Sequence, residues 1–166
     1  MTAQRYLLAG IVSAAIGNAL VAGVFLTFSS FVMPALARIA PASAVAAMQS
    51  INIVVVPSLF IKIYLLTTIV SGLLIFTPAF SGSDLTTWLS CIAGVVAIAG
   101  SFGVTMLLNV PLNNALAIAT PESHATALQW SEYVRDWGAA NLARTLASTM
   151  ASLIFFGAAL RLVAKS

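Results

Sequence analysis

Six side chains with hydrogen-bonding groups between positions 130 and 148 would share one face if that stretch is a helix. At about 100° per residue, Trp130, Tyr133, Trp137, Asn141, Arg144 and Ser148 fall within an arc of about 80° and cover about 27 Å along the axis. Glu132, Arg135 and Asp136 fall well outside that arc. Sixteen uncharged residues separate Arg144 from Arg161, about 24 Å of helix, so the guanidinium lies at or inside the edge of a bilayer. An always-charged group there needs a partner or water. Two readings follow. An aromatic belt with a snorkelling Arg would anchor the helix at the membrane surface, but would scatter its rings around the axis. A one-sided stripe instead suits the lining of a polar pocket. A helix break at Gly138 would dissolve the alignment.

A second polar cluster sits at Asn109-Val110-Pro111-Leu112-Asn113-Asn114. It closes a ridge of small residues, Ala93, Ala97, Ser101, Thr105 and Asn109, spaced by four, along which another helix can approach closely. If the helix continues past Pro111, Asn109 and Asn113 lie about 40° apart on one face. Pro111 would also free the carbonyl of Leu107. The cluster reads either as a capped helix end or as a polar pocket at the membrane edge. Gly10, Ala14, Asn18 and Ala22 repeat the device, and Asn18 reads as glue between helices. Lys62 depends on register: near the bilayer centre if its helix begins at Asn52, able to snorkel if it begins at Pro57.

The remaining reactive residues are few. The single cysteine, Cys91, excludes an intrachain disulfide and a Cys-based metal site. The single histidine, His124, excludes sites needing several imidazoles and reads as a surface residue of a polar loop. No metal ligands are assigned, and no cofactor is predicted. Haem with one axial imidazole, or a His-plus-carboxylate metal site, stays open only through His124, Asp84, Glu122, Glu132 and Asp136. No glycine-rich phosphate loop occurs.

These residues are carried by a chain of 166 residues that is 61% hydrophobic and 7% charged. A soluble domain carries about 25% charged residues, so neither a soluble domain nor a disordered chain fits. The net charge of +3 forms no basic cluster, which excludes a nucleic-acid partner. The expectation is an all-α, integral membrane four-helix bundle, a single domain with spans at about 6–31, 53–78, 85–109 and 138–162. An amphipathic extension precedes the fourth span. The uncharged run from Tyr6 to Ala37 is too long for a signal peptide. The segment from Ala35 to Ile51 reads as a loop with a short interfacial helix, and Ser81-Gly82-Ser83-Asp84 as a tight turn. Basic residues are nearly balanced between the two sides, with a lean to cytoplasmic termini in a cell inner membrane.

Four blocks carry a resemblance: Phe31-Val32-Met33-Pro34-Ala35-Leu36, Ala47-Met48-Gln49-Ser50-Ile51-Asn52, Asn109 to Asn114, and Trp130 through Trp137 to Asn141 and Arg144-Thr145. In this order they resemble the small four-span membrane proteins of the anthrone oxygenase-like group. Many members place a histidine directly after the last Asn, where this chain has Leu142. The resemblance implies oxidation of an anthrone to an anthraquinone with O₂. An enolate can reduce O₂ without a bound redox cofactor, given an oxyanion clamp and an apolar cavity. Arg144, Asn109 and Asn141 would supply charge and donors. Trp130, Tyr133 and Trp137 would stack on a polycyclic substrate, with Asn113 beside them. No base lies on the stripe. The expected partners are the lipid bilayer and a hydrophobic aromatic small molecule, with a homo-oligomer left open. The alternative is a non-enzymatic binding or structural membrane protein, or a subunit of a membrane complex. With no acid mid-span, proton-coupled transport fits worst.

Overall fold

The computed structural model describes residues 2–120 and 126–165, and every regular element in them is helical. The long helices are α1 (Ala3–Leu36), α2 (Pro41–Val55), α3 (Leu59–Leu74), α5 (Leu85–Ala117) and α6 (Thr126–Val163); α4 (Thr77–Ser81) is a single short turn. Three of them, α1, α5 and α6, are long and apolar enough to cross a membrane. The bent pair α2 and α3 makes a fourth candidate. Large apolar side chains face outward on each, for example Leu20, Leu66, Leu107 and Leu153. Water would penalise such a surface, whereas lipid does not.

The helices form an antiparallel ring in the order α1, α6, α5, α3. One end holds the termini and the α4–α5 turn, where Lys165 pairs with Asp84. Gly82 turns the chain there with φ +89°, and Asp84 caps α5 by accepting the Thr87 N–H at 2.9 Å. This half is packed with small side chains around Phe155, which is fully buried among Ala14, Ala93, Ala97 and Ala151. Gly94 lies so close to α3 that a Cβ added to it would sit 2.5 Å from the Ser71 carbonyl. Asn18 donates to the Ala14 carbonyl at 2.9 Å and to Ser71 Oγ at 3.1 Å, the glue expected of it.

The second span departs from the expected run over 53–78. Its helix starts at Leu59, and the chain before it, expected as a loop with a short interfacial helix, is the fifteen-residue helix α2, bent from α3 by 59°. The break has a local cause. Pro57 cannot donate a backbone hydrogen bond, and Ser58 adopts an extended conformation as the N-cap of α3. Its hydroxyl donates to the Val55 carbonyl at 2.6 Å and ties the two helices across the break. Lys62 is therefore exposed within the first turn of α3, the snorkelling register.

The helices that carry the third and fourth spans run past 85–109 and 138–162, the fourth through the extension expected ahead of it. Residues 85–117 are one helix that continues through Pro111, and Thr126–Val163 is one helix of 38 residues that Gly138 does not break. The chain around Pro34 and Pro111 stays helical by widening: π-helical segments at Phe28–Val32 and Thr105–Asn109 lie just ahead of the two prolines. Met33 N–H reaches the Phe28 carbonyl and Val110 N–H the Thr105 carbonyl, five residues back. A proline ring clashes with the carbonyl four residues behind it, and the wider register accommodates that clash.

Candidate functional site

Arg144 is buried in α6, with 6% of its surface exposed. Its Nη2 donates to Asn141 Oδ1 at 2.7 Å, and its Nη1 to Thr105 Oγ1 on α5 at 3.2 Å. The guanidinium carbon lies 4.2 Å from the ring centre of Phe25 and 5.3 Å from that of Trp137. Cation–π attraction and two neutral acceptors thus surround it. Among the described residues it has no carboxylate partner; the ion pairs there are Arg135 with Asp136 and Lys165 with Asp84.

Asn141 is fully buried and fixes the cation's position. Its Nδ2 donates to the Phe25 carbonyl at 2.8 Å and to Ser29 Oγ at 2.7 Å, which leaves its Oδ1 free to face Arg144. Ser29 lies in the π-helical segment of α1, so the widened turn brings α1 to the polar face of α6. On α5, Asn109 is buried and its Nδ2 donates to the Trp137 carbonyl at 3.4 Å. Tyr64 of α3 closes the level: its hydroxyl is 2.9 Å from Thr105 Oγ1, the group that accepts from Arg144.

These groups surround a cavity of about 180 Å³. Of the residues singled out in the sequence, Arg144, Asn141, Asn109, Asn113 and Trp137 line it. Tyr133 stands behind, donating its hydroxyl to Asn113 Oδ1 at 2.8 Å. Trp130 does not reach the cavity. It stacks on Tyr133 with ring centres 5.6 Å apart and packs with Met33, Val45 and Met48, holding α2 against α6. Asn52, Val56, Val110 and Asn113 also line an open groove of about 350 Å³ between α2 and α5, so the groove and the cavity share these four residues.

Several lining residues were not marked as site residues by the sequence. Phe60 and Tyr64 on α3 lie parallel, ring centres 6.0 Å apart, and Phe25 meets both edge-on. A signal existed for Tyr64: with Thr67, Ser71 and Leu74 it makes a buried stripe at three- and four-residue spacing. Asn52 read as the end of the second resemblance block and a boundary before the second span, with no role in the site. Thr105 read only as part of the small-residue ridge. No three His, Cys, Asp or Glu side chains converge among the described residues, and His124 and Glu122 lie outside those residues.

Comparison with known families bears on the same helices. The sequence profile of the anthrone oxygenase family matches residues 4–154, most of the chain. The chain belongs to the anthrone oxygenase family. No curated protein and no solved structure matches it. The blocks through which the chain resembles other anthrone oxygenase-like proteins converge in space. The second contributes Asn52, the third Asn109 and Asn113, and the fourth Trp137, Asn141 and Arg144, all to one cavity wall. The first contributes Met33, buried under α2. Leu142 is half exposed and is not among the residues that line the cavity.

Proposed function

We propose that this protein binds a hydrophobic aromatic ketone of the anthrone type in the cavity at Arg144 and promotes its oxidation by O₂. The observation that carries the reading is a buried guanidinium with no acidic partner among the described residues, walled by aromatic rings, in a chain of the anthrone oxygenase family. Removing a proton from the methylene carbon of an anthrone gives an enolate. Arg144 holds the enolate oxygen, with Asn52 and Trp137 as further donors. Phe25, Phe60 and Trp137 flank the rings. One electron passes from the enolate to O₂, and the carbon radical and superoxide combine to a peroxide on the former methylene carbon. Protonation, then loss of water from the H–C–OOH unit, leaves a second carbonyl. One oxygen atom ends in the quinone and the other in water.

Among the described residues the cavity wall carries no carboxylate or imidazole, so the task of those residues is to hold and orient the anion while apolar side chains exclude water. The same observation favours a second reading, in which the protein binds an aromatic ligand without turning it over. A rate measurement separates the two. Purified protein in detergent is expected to speed anthrone consumption under O₂, with Arg144→Ala abolishing the gain. Equal rates with and without protein would overturn the oxidation and leave the binding reading.

A further inference from the structure

The five buried side-chain atoms without a hydrogen-bond partner among the described residues are unevenly placed. Four of them, Asn52 Nδ2, Asn109 Oδ1, Trp137 Nε1 and Arg144 Nε, belong to residues that line the one cavity; the fifth, Thr86 Oγ1, lies elsewhere. Buried polar atoms are almost always paired, so such a cluster marks where a bound molecule supplies the partners. Three of the four are donors and one of these belongs to the cation, against a single free acceptor.

Charge points the same way. Among the described residues no Asp or Glu lines the cavity, and Arg144 faces Asn141, a threonine hydroxyl and two ring faces. A buried cation without a counter-ion is costly, and a neutral ligand would leave that cost in place. An anion removes it and accepts from the three idle donors. The walls then select for a flat apolar body, since Phe25, Phe28, Phe60, Tyr64 and Trp137 present rings to the space.

We propose that this site recognises its ligand in the anionic form: an aromatic oxyanion, selected over the neutral molecule by Arg144. The proposal deepens the functional reading above and shares its site. On this proposal the ligand arrives already ionised and the site stabilises that form.

The test uses the full chain in detergent micelles and two probes that O₂ does not oxidise, naphthoate and naphthamide. They share a ring system and differ in charge at neutral pH. Calorimetric titration, corrected with empty micelles, is expected to show naphthoate bound about tenfold or more tightly than naphthamide, as a charge-assisted bond to a buried cation implies. Arg144→Gln is expected to erase the difference, and Arg144→Lys to retain part of it. Naphthamide binding as tightly as naphthoate, binding of neither, or a preference that survives Arg144→Gln would each overturn the proposal. The wild-type pair decides the matter even if Arg144→Gln does not fold. A clear preference for naphthoate without any anthrone turnover would overturn the oxidation reading and leave this one standing.

Discussion

At Asn141 a single amide ties two helices together and seats the cation: it donates to the Phe25 carbonyl and Ser29 of α1 and accepts from Arg144 of its own helix, α6. Truncation would orphan a buried carbonyl and loosen a buried cation at once. Asn141→Ala is therefore expected to lower the unfolding free energy in detergent by about 2–4 kcal/mol. Denaturant titration of the purified variant checks this, and a change under about 0.5 kcal/mol would mean the amide is no keystone. The spacing of Trp137, Asn141 and Arg144 was legible because helical geometry fixes which residues share a face. Their partners were not. Phe25 and Ser29 lie more than a hundred residues away, and nothing in an apolar first span marks those two positions. Trp130 shows the limit of the same reasoning. It lies on the stripe, yet its ring is consumed in holding α2, because a face fixes direction but not what stands opposite.

At the level of elements, two glycines on long helices should behave in opposite ways. A Cβ on Gly94 would sit 2.5 Å from the Ser71 carbonyl, while one on Gly138 meets nothing within 4 Å. Gly94→Ala should destabilise the bundle by about 1–3 kcal/mol through overpacking of α3 against α5. Gly138→Ala should stabilise α6 by about 0.5–1 kcal/mol, since alanine loses less chain entropy in a helix. Unfolding of the two variants side by side tests the pair. The helix α2 is held at its far end by Gln49, whose Nε2 donates to the Leu116 and Ala119 carbonyls at 2.9 and 3.0 Å. These carbonyls lie at the end of α5, where helix geometry leaves acceptors unmet. Gln49→Ala is expected to raise amide hydrogen exchange across residues 41–55 while leaving the terminal half of the bundle unchanged. Unaltered exchange there would show that the apolar contacts with Trp130 suffice. That Ala35–Ile51 read as a loop has a physical reason. Its alanines suit a helix, but it is neither long enough to span lipid nor strongly patterned, and the surface it covers, on α6, α5 and the Met33 end of α1, exists only once the chain has folded.

Across the whole molecule, Lys165 just after α6 pairs with Asp84 at the start of the neighbouring α5, both about half exposed. The Lys165 ammonium, then the Thr87 N–H, lower the Asp84 carboxyl from its ordinary 3.8 to about 2. A lowered folded-state value means that the stabilisation is complete above the ordinary value and disappears as pH falls through about 2. An NMR titration of the Asp84 carboxyl should show that low midpoint, and Lys165→Ala should return it toward 3.8. Because the pair faces solvent, its loss should cost less than about 1 kcal/mol at neutral pH. Composition alone determined that the chain is a helical membrane bundle, since 61% apolar residues and eleven charges leave lipid-facing helices as the way to satisfy the backbone. The sequence also determined which groups of one helix share a face, because that is a property of helix pitch. Only the tertiary structure decided that α1, α3, α5 and α6 bring Ser29, Tyr64, Thr105 and Arg144 to one depth. Mutual depth depends on where each helix starts, bends and widens, and prolines, caps and close packing set those positions through contacts between residues distant in the chain.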